Sequence, residues 1–322
     1  MGRHAVAAVP IAAGDLLFVE QPYAFTPQDP DNCCHCLAGI DVEPFWTCEV
    51  CKQAWVCSEA CLARFRETHA ATCPVLAHVA DVHAKTDCDM TLQRLMVLVD
   101  ARRRAGAVEP PPDFVLPGEL AEVPGTYSQV EALQSHADKA EVPWLECIGA
   151  AAATLAASTP EPPEGVPATT AEELSGVALR INNNSYGVSG PSSISNVAIA
   201  LYPALSVLNH SCSPNVGYYG AGHGYVVVRA LADVAVGEQL CTTYIDLYNP
   251  MSVRRSKLQA TKHFVCHCLR CTAKQTKADQ AMEAMVCDDC GAVLCKGGMP
   301  ARGKKPAEAR DPFLWYCTAC EK

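Results

Sequence analysis

The spacing of its cysteines is the feature that most constrains what this 322-residue sequence can fold into. Eight of the 20 cysteines lie between Cys33 and Cys73, and eight more lie between Cys266 and Cys320. A chain of about 300 residues buries roughly three quarters of its unfolded surface, so disulfide bonds are not needed to stabilise it. The sequence therefore predicts that the clustered cysteines bind metal ions, as cysteines often do in a reducing compartment.

The apolar segments favour the same compartment. The opening run from Ala5 to Ala13 is short and is broken by Pro10, so it does not predict a signal peptide. No stretch offers the ~20 predominantly apolar residues that a membrane span needs. We expect an intracellular protein of the nucleus, the cytoplasm or both, with no membrane partner.

The first cysteine block has the ligand spacing of a double zinc module. Its ligands form four pairs, which are Cys33-x2-Cys36, Cys48-x2-Cys51, Cys57-x3-Cys61 and His69-x3-Cys73. Eight ligands suit two tetrahedral zinc ions. A RING domain is the nearest rival module, but its Cys-x-His-x2-Cys centre is absent. Five acidic residues against three basic ones within the block also disfavour phosphate contacts, so we expect no direct sequence-specific binding to nucleic acid.

Hydrophobic periodicity predicts both strands and helices. Short strands are expected at 16–20, 216–219, 225–230 and 239–243. Helices are expected at 58–69, 91–104, 144–157 and 170–182. Ser58 is the expected N-cap of the first helix, and Thr170-x-x-Glu173 is an expected capping box of the last. Proline-rich segments at 109–112 and 158–170 are expected to be exposed loops.

A stretch without charge carries the most specific motif. Between Arg180 and Arg229 there is no Asp, Glu, Lys or Arg, so these residues are expected in the interior or around a pocket. Residues 209–215 read Asn-His-Ser-Cys-Ser-Pro-Asn, and Gly-Glu at 237–238 and Thr-Tyr-Ile-Asp at 243–246 follow. This combination resembles the core of a SET-domain lysine methyltransferase, and the cysteine block resembles a MYND zinc finger. From Gly2 to Cys271 the chain is similar to the SET-and-MYND (SMYD) family.

The resemblance implies an α+β fold, in which a mainly-β SET fold is split by a MYND zinc finger and a helical insertion and is followed by a post-SET zinc site and a zinc ribbon. The expected segments are the SET N-terminal part at 1–30, the MYND finger at 31–75, the helical SET insertion at 76–175, the SET catalytic core at 176–250, the post-SET zinc segment at 251–275 and the zinc ribbon at 276–322. Members of the family often end in helical repeats that are missing from this sequence, either because this lineage lacks them or because the sequence is a fragment. Their absence is expected to leave the substrate cleft more open.

The resemblance also implies how the zinc ligands are shared. The two finger sites are expected to interleave, with one zinc on Cys33, Cys36, Cys57 and Cys61 and the other on Cys48, Cys51, His69 and Cys73. The post-SET site is expected on Cys266, Cys268 and Cys271, with Cys212 as fourth ligand. Two Cys-x2-Cys pairs in the tail predict a fourth site on Cys287, Cys290, Cys317 and Cys320, with Cys295 as an alternative ligand.

By the same resemblance the cofactor is S-adenosylmethionine and the reaction is methyl transfer to a lysine of a histone or non-histone protein. The pocket is expected to be lined by Arg3, His4, Tyr127, Asn184, Ser206, Val207, Asn209, His210, Tyr244 and Phe264, with Phe264 stacked on the adenine. Tyr244 is the expected catalytic residue, because its hydroxyl can orient the lone pair of a neutral lysine amine.

Two positions depart from the family's pattern. Gly2-Arg3-His4 lacks the second glycine of the usual Gly-x-Gly, and Lys262 stands where a second channel tyrosine is usual. The alternative interpretation is therefore a weak or inactive SET protein whose MYND finger acts as an adaptor for proline-rich partners. The enzyme interpretation expects a substrate with an exposed lysine in a basic segment, such as a histone tail, because the net charge of the chain is −10.

Overall fold

The computed structural model describes residues 3–41, 43–106, 122–123, 125–190, 195–273, 279, 289, 295–296 and 315–316. The chain divides into two compact units. The first comprises residues 1–210 and 214–242, and the second comprises residues 211–213 and 243–322. The motif at 209–215 is therefore shared, because its middle three residues belong to the second unit.

Short strands build the first unit. Their bounds are β1 Leu16–Glu20, β2 Ala24–Pro27, β3 Trp46–Thr47, β4 Trp55–Val56, β5 Glu122–Val123, β6 Ser185–Ser189, β7 Asn196–Leu201, β8 Asn209–His210, β9 Val216–Gly220, β10 Val226–Ala230 and β11 Cys241–Thr242. One sheet has the order β5-β1-β10-β9 and a second has the order β2-β7-β6. β3 pairs with β4, and β8 lies parallel to β11.

The uncharged stretch supplies the core of these sheets, as its composition predicts. In β7 four of the six residues are buried, so this central strand is apolar on both faces. It packs with Tyr202, Leu205, Val216 and Val228 into one hydrophobic cluster. A charged side chain in this cluster would have to be desolvated without a partner, which explains why the sequence avoids charge there.

Helices form a second core within the same unit. Their bounds are α1 Glu59–Leu76, α2 Val79–Thr86, α3 Met90–Ala105, α4 Tyr127–Glu131, α5 Val142–Ala157 and α6 Ala171–Asn184, with 3-10 turns at Ala137–Lys139 and Leu205–Val207. Leu95 and Val99 of α3 are fully buried against Leu155 of α5 and Ile181 of α6. The apolar stripe predicted for 91–104 therefore faces the helical core.

The expected helix ends are confirmed to within two residues, except for the C-terminal end of α1. Ser58 caps α1, because its Oγ accepts from the Cys61 N–H at 3.2 Å, and Thr170 and Glu173 form both hydrogen bonds of a capping box. α1 is longer than predicted and includes Pro74. The strand expected at 239–243 shortens to β11. Segment 158–170 is a loop, as expected, whereas 109–112 lies outside the described residues.

Arg94 holds the cysteine block against the sheet and helices. From α3 its guanidinium donates to the Pro27 and Gln28 carbonyls at the end of β2 and to the Gln53 side chain of the cysteine block. It also lies over the Trp55 ring, 5.5 Å from the centroid. One buried cation thus ties three parts of the first unit together through neutral acceptors.

The second unit contains helices α7 (Met251–Lys262) and α8 (Leu269–Thr272) and the antiparallel pair β12 (Cys295–Lys296) and β13 (Trp315–Tyr316). Its apolar cluster joins Ile245 and Leu258 to cysteines of the motif and of the second cysteine block. Among the residues that the structure describes, no helix is long and apolar enough to cross a membrane. The mixed α+β class is confirmed.

Candidate zinc centres and cofactor site

The cysteine block places its eight ligands in two interleaved groups. Cys33, Cys36, Cys57 and Cys61 form one group, and Cys48, Cys51, His69 and Cys73 form the other. Within each group the ligand atoms all lie within 4.8 Å of one another. The neighbouring Cys34 belongs to neither group. The grouping is the one that the MYND resemblance implies.

The distances fit zinc. Four sulfurs at the Zn–S length of ~2.3 Å around a tetrahedral ion stand about 3.8 Å apart. The Cys36 and Cys57 sulfurs are 3.6 Å apart and the Cys57 and Cys61 sulfurs 3.7 Å apart. In the second group the Cys51 sulfur lies 3.7 Å from Nε2 of His69.

Neighbouring groups orient these ligands. The Cys33 sulfur accepts from the backbone N–H groups of His35 and Cys57, each at 3.4 Å, and such bonds favour the thiolate that binds metal. The His69 ring stacks on Phe65 with the planes 13° apart and meets Trp46 edge-on. Since α1 carries His69 and Cys73 one turn apart, the extension of this helix beyond its predicted end serves the second site.

The second unit contains a third group, formed by Cys212, Cys266, Cys268 and Cys271. The Cys212 sulfur lies 3.5 Å from that of Cys271 and 4.0 Å from that of Cys266. The Cys212 N–H also donates to the Cys268 sulfur at 3.4 Å. The motif cysteine and the second cysteine block therefore meet as the sequence predicts, with spacing that fits a tetrahedral zinc.

Three charged residues beside this third group were missed by sequence reasoning. Arg254 is fully buried, donates to the Cys271 sulfur at 3.9 Å and pairs with the buried Asp279 at 2.5 Å. Arg270 also pairs with Asp279, at 3.0 Å, and donates to the Cys212 carbonyl. A zinc ion with four thiolates would carry −2, and the two arginines together with Asp279 add a net +1 that offsets part of it. The sequence does place arginines close to Cys266, Cys268 and Cys271, but the spacing of these arginines matches no motif that would have predicted their role.

The tail cysteines expected to bind a fourth zinc, Cys287, Cys290, Cys317 and Cys320, lie outside the described residues. What the structure describes there is backbone pairing, with Cys295 opposite Tyr316 and Lys296 opposite Trp315. The ribbon therefore stays a prediction.

Three of the expected cofactor residues gather around α4. Arg3 donates to the Ala132 carbonyl just after this helix, and the Asn184 amide donates to the Gln134 carbonyl at 2.8 Å. Tyr127 opens the helix, and its ring lies 6.3 Å from that of Tyr23 and beneath the guanidinium of Arg103. His4 is exposed next to Arg3. The Arg3 and Asn184 side chains therefore hold the chain that leaves α4.

The other expected cofactor residues of the first unit lie on the turn Leu205–Val207 and on β8. Ser206 Oγ is buried and has no hydrogen-bond partner in the described part of the chain. The partly exposed Asn209 shows no side-chain hydrogen bond there either, while the backbone of β8 pairs with Cys241 and Thr242. Since buried polar groups normally have partners, an orphaned hydroxyl beside an amide fits a polar ligand such as S-adenosylmethionine.

Glu20 anchors the turn Leu205–Val207. It is fully buried at the end of β1, and its two carboxylate oxygens accept from the N–H groups of Ala204 and Leu205 at 2.7 and 2.8 Å. Burial raises the pKa of the Glu20 carboxyl to about 7, against the lowering effect of these two hydrogen bonds. Tyr186 adds a third anchor, since its hydroxyl donates to the Leu205 carbonyl at 3.3 Å.

Asn215 closes the motif by fixing β11. Its side chain accepts from the Cys241 N–H at 2.8 Å and donates to the Gln239 carbonyl at 2.9 Å. Glu238, of the Gly-Glu pair, accepts from the Ala235 N–H and from the Asn215 amide. The last residue of the motif is thus structural, and it keeps β11 beside β8.

In the second unit Tyr244 and Phe264 pack against the cluster of the third cysteine group. The hydroxyl of Thr243 donates to the Ile245 carbonyl at 2.6 Å and accepts from the Ile245 N–H, which fixes the backbone on both sides of Tyr244. Lys262 places its Nζ 5.9 Å from the centroid of the Tyr244 ring. Burial lowers the pKa of this lysine.

Comparison with known proteins decides the family. A model of the SET domain matches residues 2–245. The chain belongs to the SET-domain family. This SET protein is 27% identical over 276 residues to the N-lysine methyltransferase SMYD2 of Homo sapiens, an alignment that covers 85% of this chain and 58% of the relative.

Two further relatives agree. The histone-lysine N-methyltransferase SMYD3 of Homo sapiens is 26% identical over 277 residues, with 85% of this chain and 60% of the relative covered. The N-lysine methyltransferase SMYD2-A of Xenopus laevis is 24% identical over 275 residues, with 85% and 59% covered. This SET protein thus spans about three fifths of the length of the relatives that it matches. The SMYD resemblance is confirmed.

Proposed function

We propose that this SET protein transfers a methyl group from S-adenosylmethionine to the ε-amine of a protein lysine. The observation that carries the proposal is the SET motif at 209–215, with the buried Ser206 hydroxyl left without a partner beside it in the described part of the chain. The names of the SMYD2 and SMYD3 relatives support the reaction class. We also propose the segment boundaries that the sequence predicts, from the SET N-terminal part to the ribbon.

The cofactor, when bound, supplies an electrophilic methyl group on a sulfonium. Asn209 and Ser206 offer a carbonyl and a hydroxyl that can accept from its amino group, and backbone groups near His210 can meet the adenine edge. Phe264 is proposed to stack on the adenine. Arg3, His4, Tyr127, Asn184 and Val207 are proposed as further lining.

Tyr244 is proposed as the catalytic residue. A free lysine has a pKa near ~10.4, so an acceptor must lose its proton before its lone pair can react. An apolar site next to a positive charge lowers that pKa through desolvation and like-charge repulsion. The Tyr244 hydroxyl then accepts a hydrogen bond from the amine and aims its lone pair, a contribution of orientation rather than of covalent chemistry.

Zinc ions are proposed to stabilise the segments that carry the cysteine groups. The three described groups each present four ligands at zinc spacing, and a fourth site is proposed in the tail. The third group packs with Tyr244 and Phe264, so its metal fixes two residues of the proposed site. The substrate is proposed to be a basic protein segment such as a histone tail, because the net charge of −10 attracts cations.

One observation favours a second candidate. Lys262 places its Nζ 5.9 Å from the centroid of the Tyr244 ring, and a cation there disfavours an incoming lysine. The protein would then be a weak or inactive enzyme whose cysteine block binds proline-rich partners.

The two candidates separate in a methyl-transfer assay. Zinc-loaded protein is incubated with tritium-labelled S-adenosylmethionine on an array of lysine-containing peptides, beside Tyr244→Phe and the control Tyr248→Phe, whose side chain is 86% exposed. We expect label with the wild type and with Tyr248→Phe, and strongly reduced label with Tyr244→Phe. Cofactor binding without label on any acceptor would favour the adaptor.

A further inference from the structure

Lys262 is the last residue of α7, and it is held against Tyr244. The helix ends there because His263 adopts the left-handed conformation, with φ 61°. Lys262 Nζ lies 5.9 Å from the centroid of the Tyr244 ring, within cation–π range. Both residues belong to the second unit, so this contact is internal to one compact body.

The environment of Lys262 prepares its amine to react. Its side chain is partly buried, and burial alone lowers its pKa, because no acidic group contributes to the shift. A larger fraction of the side chain is therefore the neutral amine at a given pH than for a lysine in water. The neutral amine is also the form that attacks a methyl sulfonium.

The hydroxyl on the Tyr244 ring is also the group that is proposed to orient the substrate amine. An acceptor needs a lysine Nζ beside Tyr244, and this chain brings one of its own to 5.9 Å from the centroid of that ring. Lys257 on the same helix serves as a contrast, because its side chain is exposed. Position, rather than the presence of a lysine on α7, distinguishes Lys262.

We propose that Lys262 is a methyl acceptor of its own chain, so that the protein methylates itself at this residue. This inference rests on the proposed function. The Nζ lone pair forms a bond to the methyl carbon, and the carbon–sulfur bond breaks. Its electron pair stays on sulfur, which leaves S-adenosylhomocysteine, and the new ammonium loses one proton to solvent.

Until it is methylated, Lys262 also competes with an external lysine for the face of Tyr244. Replacement of Lys262 by tyrosine removes this competition and restores the side chain that the family usually has. Transfer to an external peptide should therefore rise severalfold in Lys262→Tyr.

The test is a peptide map by mass spectrometry after the zinc-loaded full chain is incubated with S-adenosylmethionine that carries a deuterated methyl group. We expect label on Lys262 and none on Lys257, at a rate per molecule independent of protein concentration. Lys262→Arg should lose the label, and Lys257→Arg should keep it. Native mass spectrometry of zinc content shows that each variant is folded.

Three outcomes are informative. If a peptide acceptor is labelled while Lys262 is not, self-methylation is wrong and the proposed function stands. If labelling of Lys262 depends on protein concentration, the transfer occurs between molecules and the internal acceptor is wrong. If neither acceptor is labelled and S-adenosylmethionine does not bind in calorimetry, the proposed function is wrong as well.

Discussion

Among single residues, Glu20 shows most clearly how a buried charge is used to hold a site. A carboxylate in the core costs free energy unless it is compensated, and here two backbone N–H donors of the Leu205–Val207 turn compensate it. Its raised pKa of about 7 shows that the compensation is incomplete. The turn that carries Ser206 is therefore positioned by a group that titrates near neutral pH.

This titration predicts a pH dependence of stability. Because the folded pKa of about 7 exceeds the ordinary carboxyl value of 4.5, Glu20 binds more protons in the folded state than in the unfolded state. Its contribution to stability is full below the lower value and is lost as pH rises through the higher one. Between pH 6 and 8 the wild type should lose about 1 kcal/mol relative to Glu20→Gln. Urea unfolding of both proteins at the two pH values measures it, and parallel pH profiles would contradict the assignment.

Substitution of Ser206 is expected to have opposite effects on the stability of the protein and on its binding of S-adenosylmethionine. The buried hydroxyl of this serine lacks a partner among the described residues, so Ser206→Ala removes an unsatisfied group and should stabilise the cofactor-free protein by about 1 kcal/mol. The same change should weaken S-adenosylmethionine binding roughly tenfold, because one hydrogen bond is lost. Thermal unfolding and calorimetry measure the two effects, with the exposed Ser256→Ala as control. Unchanged affinity in Ser206→Ala would remove this residue from the proposed pocket.

The sequence could predict some of these residues and not others. The motif points to Asn209 and Cys212 because their types and spacing are specific. Glu20 carries no such signal, since a Glu at the end of a strand is usually solvated and only the fold shows that it is buried. The contact of Lys262 with Tyr244 is equally invisible, because it depends on where α7 ends.

At the scale of elements, the third cysteine group joins segments that are far apart in sequence. Cys212 comes from the motif, and its three partners follow α7. Cys212→Ser should therefore lose one zinc and most of the cofactor affinity, because the cluster also carries Tyr244 and Phe264. Native mass spectrometry counts the metal, beside the control Cys147→Ser, a cysteine outside the three groups. An unchanged zinc count in Cys212→Ser would be inconsistent with this ligand set.

A substitution of Arg254 is expected to weaken zinc binding by the same cysteine group. Arg254 donates to the Cys271 sulfur and is the partner of Asp279, so Arg254→Gln leaves the thiolates with less compensating charge. Loss of such an outer contact typically weakens metal binding roughly 10- to 100-fold. Competition with a chromogenic chelator measures zinc release, with Lys257→Gln as control. Release at the wild-type rate would show that Arg254 serves only packing.

Elements with strong local signals were predicted well. α3 and α6 follow from an apolar stripe and a capping box, and β1 has the bounds that the sequence predicts. α2 was missed because it is short. β6 and β7 were missed as strands because β7 is buried on both faces and shows no alternation.

At the scale of the whole molecule, the cysteine groups and the SET domain occupy overlapping parts of the sequence. Eleven of the 20 cysteines belong to the three groups at zinc spacing that the structure describes. The SET match spans residues 2–245, across both the cysteine block and the helices of the first unit. This span agrees with the proposed insertion of the cysteine block and the helices within one SET domain.

The central claim is that the acceptor atom is the ε-nitrogen of a protein lysine. Its most direct test is amino-acid analysis of an array protein or histone mixture after incubation with labelled S-adenosylmethionine and the zinc-loaded protein. We predict that the label is recovered as N-ε-methyllysine with the wild type and with Tyr248→Phe, and is largely lost with Tyr244→Phe. Label recovered only as methylarginine or as a methyl ester, or equal label from Tyr244→Phe, would contradict the account.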